Sequence, residues 1–130
     1  MIVTRPRVAA VILKEGKFLI LKRKDDVRWM LPNWKIGLDT EVYSMMVSEI
    51  FKQTGLEVSV ENLIGKWNSK DSEGNEVVFT NFLCKSSGGE FKIDTEGIDF
   101  KWVTPTEFMM NQYKVPHDSL KKTISGYFKV

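Results

Sequence analysis

The feature that most constrains the fold is a run of apolar side chains at helical spacing between residues 42 and 51. Its members are Val42, Met45, Met46, Ile50 and Phe51. This spacing places them on one face of an amphipathic helix, and we interpret that face as core rather than as a cofactor site. Asp39 or Thr40 is expected to cap the start of the helix. Gly55 is expected to end it, because glycine readily adopts the left-handed backbone that stops helices.

Strand patterns lie on both sides of this helix. Two apolar segments precede it and are expected to form a hairpin through the Glu15-Gly16 turn, at residues 8–13 and 17–22. A short extended segment is predicted at 29–32. Further strands are predicted at 57–64, 77–84 and 98–103, with turns at 71–75 and 86–89. Two more helices are predicted. The first begins at a capping box formed by Thr104 and Glu107, with Pro105 at the first helical position. The second carries apolar residues at helical spacing: Leu120, Ile124, Tyr127 and Phe128. This order predicts an α+β layer fold in one domain, residues 1–130.

Composition excludes several classes of function. The net charge of +2 is small and the basic residues are scattered, which argues against nucleic-acid binding. Cys84 is the only cysteine, and it is expected to be a buried, inert thiol in a reducing compartment. His117 is the only histidine, which excludes a multi-histidine zinc site. No apolar run approaches the ~20 residues that span a membrane. A cytoplasmic protein without membrane partners is therefore expected.

Residues 31–58 resemble the Nudix box, G-x5-E-x7-R-E-U-x-E-E-x-G-U, where U is a bulky aliphatic residue. When the motif is anchored on Gly55 and Leu56, Glu49 and Ile50 also match. The resemblance extends from about Val8 to the last helix. It includes the strand-like segments 7–13 and 17–23, the W-x-L-P sequence at 29–32, and the acidic-then-WV segment at 96–103. It implies a Nudix-type α/β/α sandwich around a mixed β-sheet, with the box as a loop-helix-loop beside the sheet.

The resemblance also implies an activity. Nudix enzymes hydrolyse a nucleoside diphosphate linked to another group, by attack of water on a phosphorus with the help of magnesium or manganese. The box helix supplies the carboxylates that bind the metal. By this resemblance Glu49 is the candidate catalytic residue, and magnesium or manganese is the expected cofactor if the protein is active.

Most of the family's metal-binding positions carry other residues here. The opening glycine falls on Trp34, the upstream glutamate on Thr40 and the arginine on Ser48, and the paired carboxylates fall on Lys52 and Gln53. Residues three and four apart share a helix face, so this face presents one carboxylate, one ammonium and one amide. At ~4 Å and an effective dielectric of ~20, each pair of unit charges contributes at most about 4 kcal/mol. Replacing a negative charge with a positive one beside a dication therefore lowers metal affinity by orders of magnitude. Glu49 and Gln53 therefore form at most a weak or vestigial metal site, and no cofactor is firmly expected.

Other groups could take over part of the lost chemistry. Arg23, Lys35 and Lys52 are candidates to neutralise a phosphate without metal, although Lys52 could instead pair with Glu49. Trp34 could stack on a base or close the vacated cleft.

Asp39, Glu41 and Glu57 are not expected to restore the metal site, because their spacing does not place them on the Glu49 face. The resemblance places Glu90, Asp94 and Glu96 where some family members carry a catalytic base outside the box, and we interpret them as solvated turn and strand carboxylates.

Three functional hypotheses follow. The first is a Nudix-lineage protein with impaired or lost metal-dependent catalysis that binds a nucleotide or another phosphate-containing small molecule. The second is an active Nudix pyrophosphohydrolase with an unorthodox site centred on Glu49. The third is an interaction domain, which leaves open a homodimer formed through Trp34, Met109-Met110 or Tyr127-Phe128.

Overall fold

The structure is a computed structural model that describes residues 4–37 and 40–130. The described elements follow one another in the order β1 Thr4–Lys14, β2 Lys17–Arg23, β3 Asn33–Lys35, α1 Val42–Thr54, β4 Leu56–Lys70, β5 Glu76–Gly89, β6 Ile98–Val103, α2 Pro105–Phe108 and α3 Asp118–Phe128. None of the described helices is long and apolar enough to cross a membrane.

The strands form one mixed, six-stranded sheet in the order β4-β5-β1-β2-β6, with β3 paired to β1. The β1 and β5 strands are parallel, and the other pairs are antiparallel. The hairpin predicted around Glu15-Gly16 is confirmed. Both residues have positive φ angles, 54° and 79°, as the tight hairpin turn between twisted strands requires.

Successive side chains of β1 point to opposite faces of the sheet, and each face is buried by a helix. Val8, Ala10 and Ile12 pack with Met46 and Ile50 of α1. Ala9 and Val11 belong to a second cluster with Leu120 and Ile124 of α3. The expected α/β/α sandwich around a mixed sheet is therefore confirmed. The apolar stripe of α1 is core at Met46 and Ile50, with Val42 and Met45 packed beside them. The prediction was wrong for Phe51, which is 52% exposed.

The start of α1 differs from the prediction. The helix begins at Val42, and its N-cap residue Glu41 makes no side-chain capping hydrogen bond. The Thr40 hydroxyl, predicted as a cap, instead accepts a hydrogen bond from the Gly37 amide at 2.7 Å. The alternative cap, Asp39, lies outside the described residues. The predicted end is confirmed, because Gly55 is left-handed at φ 75° and donates its N–H to the Phe51 carbonyl.

Strands β4 and β5 are longer than predicted. The segment 86–89, which we predicted as a turn, continues β5 and pairs with the start of β4 through Gly89 and Leu56. The predicted turn at 71–75 is confirmed, since Asp71 accepts backbone hydrogen bonds from Glu73 and Asn75. The capping box of Thr104 and Glu107 is also present. The last helix begins after His117, whose ring accepts a hydrogen bond from the Ser119 amide.

Candidate functional site: a cationic cleft beside the box helix

The box helix brings Glu49, Lys52 and Gln53 to neighbouring positions. Lys52 Nζ lies 3.7 Å from Glu49 Oε1, so the predicted ion pair is present. Its side chains are 70% and 37% exposed, respectively. Gln53 is more enclosed, and its Oε1 is buried without a hydrogen-bond partner among the described residues. The helix thus offers one carboxylate already beside a cation and one amide oxygen.

This donor set does not fit a divalent metal of the kind that Nudix hydrolases use. Magnesium is held by oxygen ligands, chiefly carboxylates and substrate phosphates. Within residues 4–37 and 40–130, no three His, Cys, Asp or Glu side chains are grouped so that they could hold a metal ion. The Lys52 ammonium would also repel a cation at Glu49. The side chains of this helix face therefore suit direct contact with an anion better than they suit a metal.

A cleft of about 660 Å³ opens next to Gln53, and we call it the main cleft. This volume lies within the usual range for small-molecule sites. Its cationic lining residues are Arg7, Lys22, Arg23, Arg28 and Lys70, whereas its acidic ones are Asp26 and Asp71. The cleft therefore carries a net positive charge, which favours an anionic ligand.

Both carboxylates of the main cleft are engaged by arginines. Asp26 accepts from Arg28 Nε and Nη2 at 3.0 and 2.7 Å. These hydrogen bonds hold the pKa of Asp26 well below its ordinary value. Asp71 lies 3.4 Å from the Nε of Arg5, which stands outside the cleft lining. The acidic groups are thus partly neutralised.

The other cations of the main cleft differ in whether their charge is already held by a partner. Arg7 donates from Nε to Asn33 Oδ1 at 2.7 Å, and partial burial lowers its pKa. The Lys22 ammonium is held by the Asp26 carbonyl at 2.8 Å and by Asp99 at 3.3 Å. Arg23 forms a two-point pair with Asp25. Lys70 has no ion pair in the described part of the chain, which leaves its charge available to a ligand.

The floor of the main cleft is aromatic. Trp67 and Phe79 face each other across β4 and β5, with ring centroids 4.2 Å apart and planes inclined by 6°. Trp67 Nε1 donates to the buried Asn81 Oδ1 at 3.2 Å, which fixes the indole. Trp67 and Phe79 are only 3% and 5% exposed and belong to the core cluster on this side of the sheet. They therefore close the cleft as an apolar floor beneath the cations.

The main cleft is joined to a second, more polar one. This outer cleft has a volume of about 620 Å³ and shares Arg28, Ser69, Lys70 and Pro116 with the main cleft. Its other lining residues are Asn68, Glu76 and His117. Arg28 and Lys70 therefore stand at the junction between the two volumes.

The structure separates the residues that the sequence singled out. Arg23 and Gln53 line the main cleft, but its lining does not include Glu49 or Lys52 within the described residues. Trp34 pairs with Val8 and packs against the core cluster beneath α1. Lys35 lines a different cavity of about 400 Å³. Their binding roles remain predictions.

The surfaces predicted for self-association also differ in exposure. Met109, Tyr127 and Phe128 pack against the α3-side core, whereas Met110 is exposed. A homodimer through these residues stays a prediction.

Four cationic residues of the main cleft were not predicted from the sequence: Arg7, Lys22, Arg28 and Lys70. They belong to β1, to β2, to the loop after β2 and to β4, so no single sequence motif connects them. The alternation of Trp67 with polar neighbours in β4 was the only sequence signal for the aromatic floor.

Comparison with known proteins supports the fold and the lineage. No family model matches the chain. A "MutT-like protein" of Streptomyces ambofaciens is 32% identical over 101 residues, covering 77% of this chain and 64% of the relative. A "Putative 8-oxo-dGTP diphosphatase" of Bacillus subtilis (strain 168) is 28% identical over 97 residues, covering 73% and 63%. The chain thus spans slightly less than two thirds of these curated relatives.

A solved structure, the MutT protein from Methanosarcina mazei Go1, has the same fold. It superposes with a TM-score of 0.78 at 20% identity, over 98% of this chain and 95% of the other. The sandwich with its helix between β3 and β4 is the fold of this MutT protein. Together with the similarity to the MutT-like relative, this shared fold supports the Nudix lineage that the sequence resemblance predicted.

Proposed function

We propose that the protein binds a nucleoside diphosphate or a related phosphate ligand in the main cleft, with impaired metal-dependent hydrolysis. This proposal rests on the lining of the main cleft, in which cations outnumber carboxylates and lie above an aromatic floor. Lys70, which has no ion pair among the described residues, would neutralise phosphate, and the apolar floor formed by Trp67 and Phe79 would lie beneath the base. The Nudix lineage supports a nucleotide-like ligand of this kind.

Impaired hydrolysis is supported by the chemistry of α1. In the family the box helix gathers carboxylates for the metal, whereas here Lys52 stands at 3.7 Å from the single carboxylate of Glu49. Gln53, which lines the main cleft, carries a neutral amide in place of a carboxylate, and its oxygen is buried. Binding through Lys70 does not need a metal, because its ammonium acts directly on phosphate.

Calorimetric titration of ADP, GDP, UDP and CDP tests this proposal. At least one of them should bind in EDTA, and magnesium should strengthen the binding by less than twofold. Lys70→Ala should weaken it by roughly 10- to 150-fold, since a hydrogen bond to a charged group contributes about 1.5–3 kcal/mol.

Lys66→Ala is the matched control for Lys70→Ala. Lys66 lies on the same strand, is exposed and does not line the main cleft. Its removal should leave the dissociation constant within twofold. Absence of binding at millimolar nucleotide, or an equal loss in both variants, would refute the proposal.

A second candidate is an active pyrophosphohydrolase. It is favoured by the name of the Bacillus subtilis relative, "Putative 8-oxo-dGTP diphosphatase", and by the retained Glu49. The assay is turnover of 8-oxo-dGTP with magnesium or manganese. Hydrolysis that is lost in Glu49→Gln would establish this candidate in place of the first.

A further inference from the structure

We infer that two copies of this chain associate through the solvent-facing side of α1, with the two helices antiparallel and Val47 on the two-fold axis. Five exposed residues make up this side, which we call the α1 outer face: Tyr43, Ser44, Val47, Ser48 and Phe51. At 3.6 residues per turn they fall within about 140° of arc, and none of them is charged. The lining of the main cleft includes none of the five, so this inference does not depend on the proposed function.

The α1 outer face leaves large apolar side chains in contact with solvent. Tyr43 and Phe51 are each slightly more than half exposed, and Val47 lies between them. The apolar surface continues onto β4, because the exposed Leu63 pairs with Phe82. The Phe82 ring in turn contacts Tyr43 edge-on, with centroids 5.6 Å apart. Contiguous apolar surface of this kind is typical of an interaction site, whereas single exposed apolar residues are not.

The order of these side chains fits a second copy of the same face. Tyr43 and Phe51 lie four residues before and four residues after Val47. In an antiparallel pair centred on Val47, Tyr43 therefore meets Phe51 of the second copy, and Val47 meets its own counterpart. A two-fold interface between identical chains requires such self-complementarity. Ser44 and Ser48 are small, so the two helices can approach closely.

The charges that flank the face favour the antiparallel direction. Glu41 and Lys52 both lie just beyond the Ser48 edge of the face, at opposite ends of α1. An antiparallel pair places Lys52 beside Glu41 of the second copy, twice by symmetry, whereas a parallel pair would bring like charges together. Both groups are available for this contact. Glu41 has no ion pair in the described part of the chain, and Lys52 has only its exposed contact with Glu49, which contributes little.

The size of the face predicts a weak dimer. A half-exposed aromatic side chain offers on the order of 100 Å². One copy therefore contributes less than the roughly 800 Å² that a standard stable interface takes from each partner. We expect a dissociation constant on the order of 10–100 μM for an interface of this size.

Sedimentation velocity of the intact chain, from low micromolar to near-millimolar concentration in EDTA, tests the inference. The wild-type chain should change from monomer to dimer over this range. Val47→Glu should stay monomeric throughout, because two carboxylates would face each other at the axis. Val27→Glu is the matched control, since Val27 is also exposed but lies outside the α1 outer face. It should dimerise as the wild type does.

A charge exchange tests the direction of the helices without placing a charge in the apolar face. Glu41→Lys and Lys52→Glu should each weaken the dimer by roughly 5- to 30-fold, because each change replaces two symmetry-related ion pairs with like charges. The double variant Glu41→Lys/Lys52→Glu should recover the wild-type dissociation constant to within about twofold, because the exchanged charges meet again.

Three results would overturn the inference. The first is a wild-type chain that stays monomeric at near-millimolar concentration. The second is a dimer that survives Val47→Glu or is lost equally in Val27→Glu. The third is a double charge variant that dimerises no more tightly than the single ones.

Discussion

The Lys52 ammonium matters more for metal binding by the box helix than for the stability of the fold. An exposed pair such as Lys52 with Glu49 typically stabilises a fold by less than about 1 kcal/mol. Its effect on function is larger, because the same ammonium stands where a metal site needs a negative charge. The ion pair followed from the i, i+3 spacing in the sequence. The buried, unpartnered oxygen of Gln53 did not, since burial depends on elements distant in the chain.

The contact between Arg28 and Asp26 makes the stability of the fold depend on pH. Hydrogen bonds from Arg28 lower the pKa of Asp26 relative to its ordinary value of 3.8. The contribution of Asp26 to the stability of the fold is therefore complete above the pKa that this carboxyl has in the unfolded chain. It is lost as the pH falls through its lower pKa in the folded protein. In Arg28→Gln, carbon-detected NMR titration should show the pKa of the Asp26 carboxyl rising part of the way toward its ordinary value, because the backbone N–H of residue 28 still donates to Oδ1.

Arg23→Gln is the control for this titration. Arg23 pairs with Asp25 rather than with Asp26, so its removal should leave the Asp26 titration unchanged. Equal shifts of the Asp26 pKa in both variants would show that general positive charge, and not the two-point Arg28 contact, lowers it.

The junction of α1 and β4 is the element on which sequence reasoning worked best. Gly55 was predicted to end the helix, because few residues other than glycine adopt the left-handed backbone there. The start of the same helix was harder to predict, since Thr40 uses its hydroxyl on the Gly37 amide rather than on the helix. The segment 86–89 was also misread, because its serines and glycines are typical of turns. Pairing with β4 overrides that local preference.

Gly55→Ala tests this junction. A Cβ at this position would overlap the Glu90 carbonyl oxygen, and the φ of 75° would be strained for alanine. We expect a loss of roughly 3 kcal/mol or more in the free energy of unfolding, measured by urea denaturation.

Gly16→Ala provides the matched comparison. Its φ is similar at 79°, but a Cβ there meets no atom within 4 Å. It should cost about 1–2 kcal/mol from the backbone alone. Equal costs for the two variants would contradict the importance of the Glu90 contact.

At the scale of the whole molecule, one sheet separates two apolar clusters and leaves the cleft beside them. Alternation along β1 and the stripe of α1 made the layers predictable, because both are local periodicities. The main cleft was not predictable in the same way. Arg7, Arg28 and Lys70 meet only after β1 pairs with β5 and β5 with β4. The fold therefore determines where a ligand could bind, whereas the side chains that line the main cleft are specific to this sequence.

The two clusters also predict how the fold responds to mutation. Ile50 on α1 and Ile124 on α3 are both fully buried, on opposite sides of the sheet. Ile50→Val and Ile124→Val should each cost about 0.5–1.5 kcal/mol. Since the two side chains share no cluster, the costs should add within about 0.5 kcal/mol in the double variant, with a single urea transition followed by both fluorescence and circular dichroism. A larger coupling would mean that the sheet transmits packing strain between its faces, and two separate transitions would mean that the layers unfold independently.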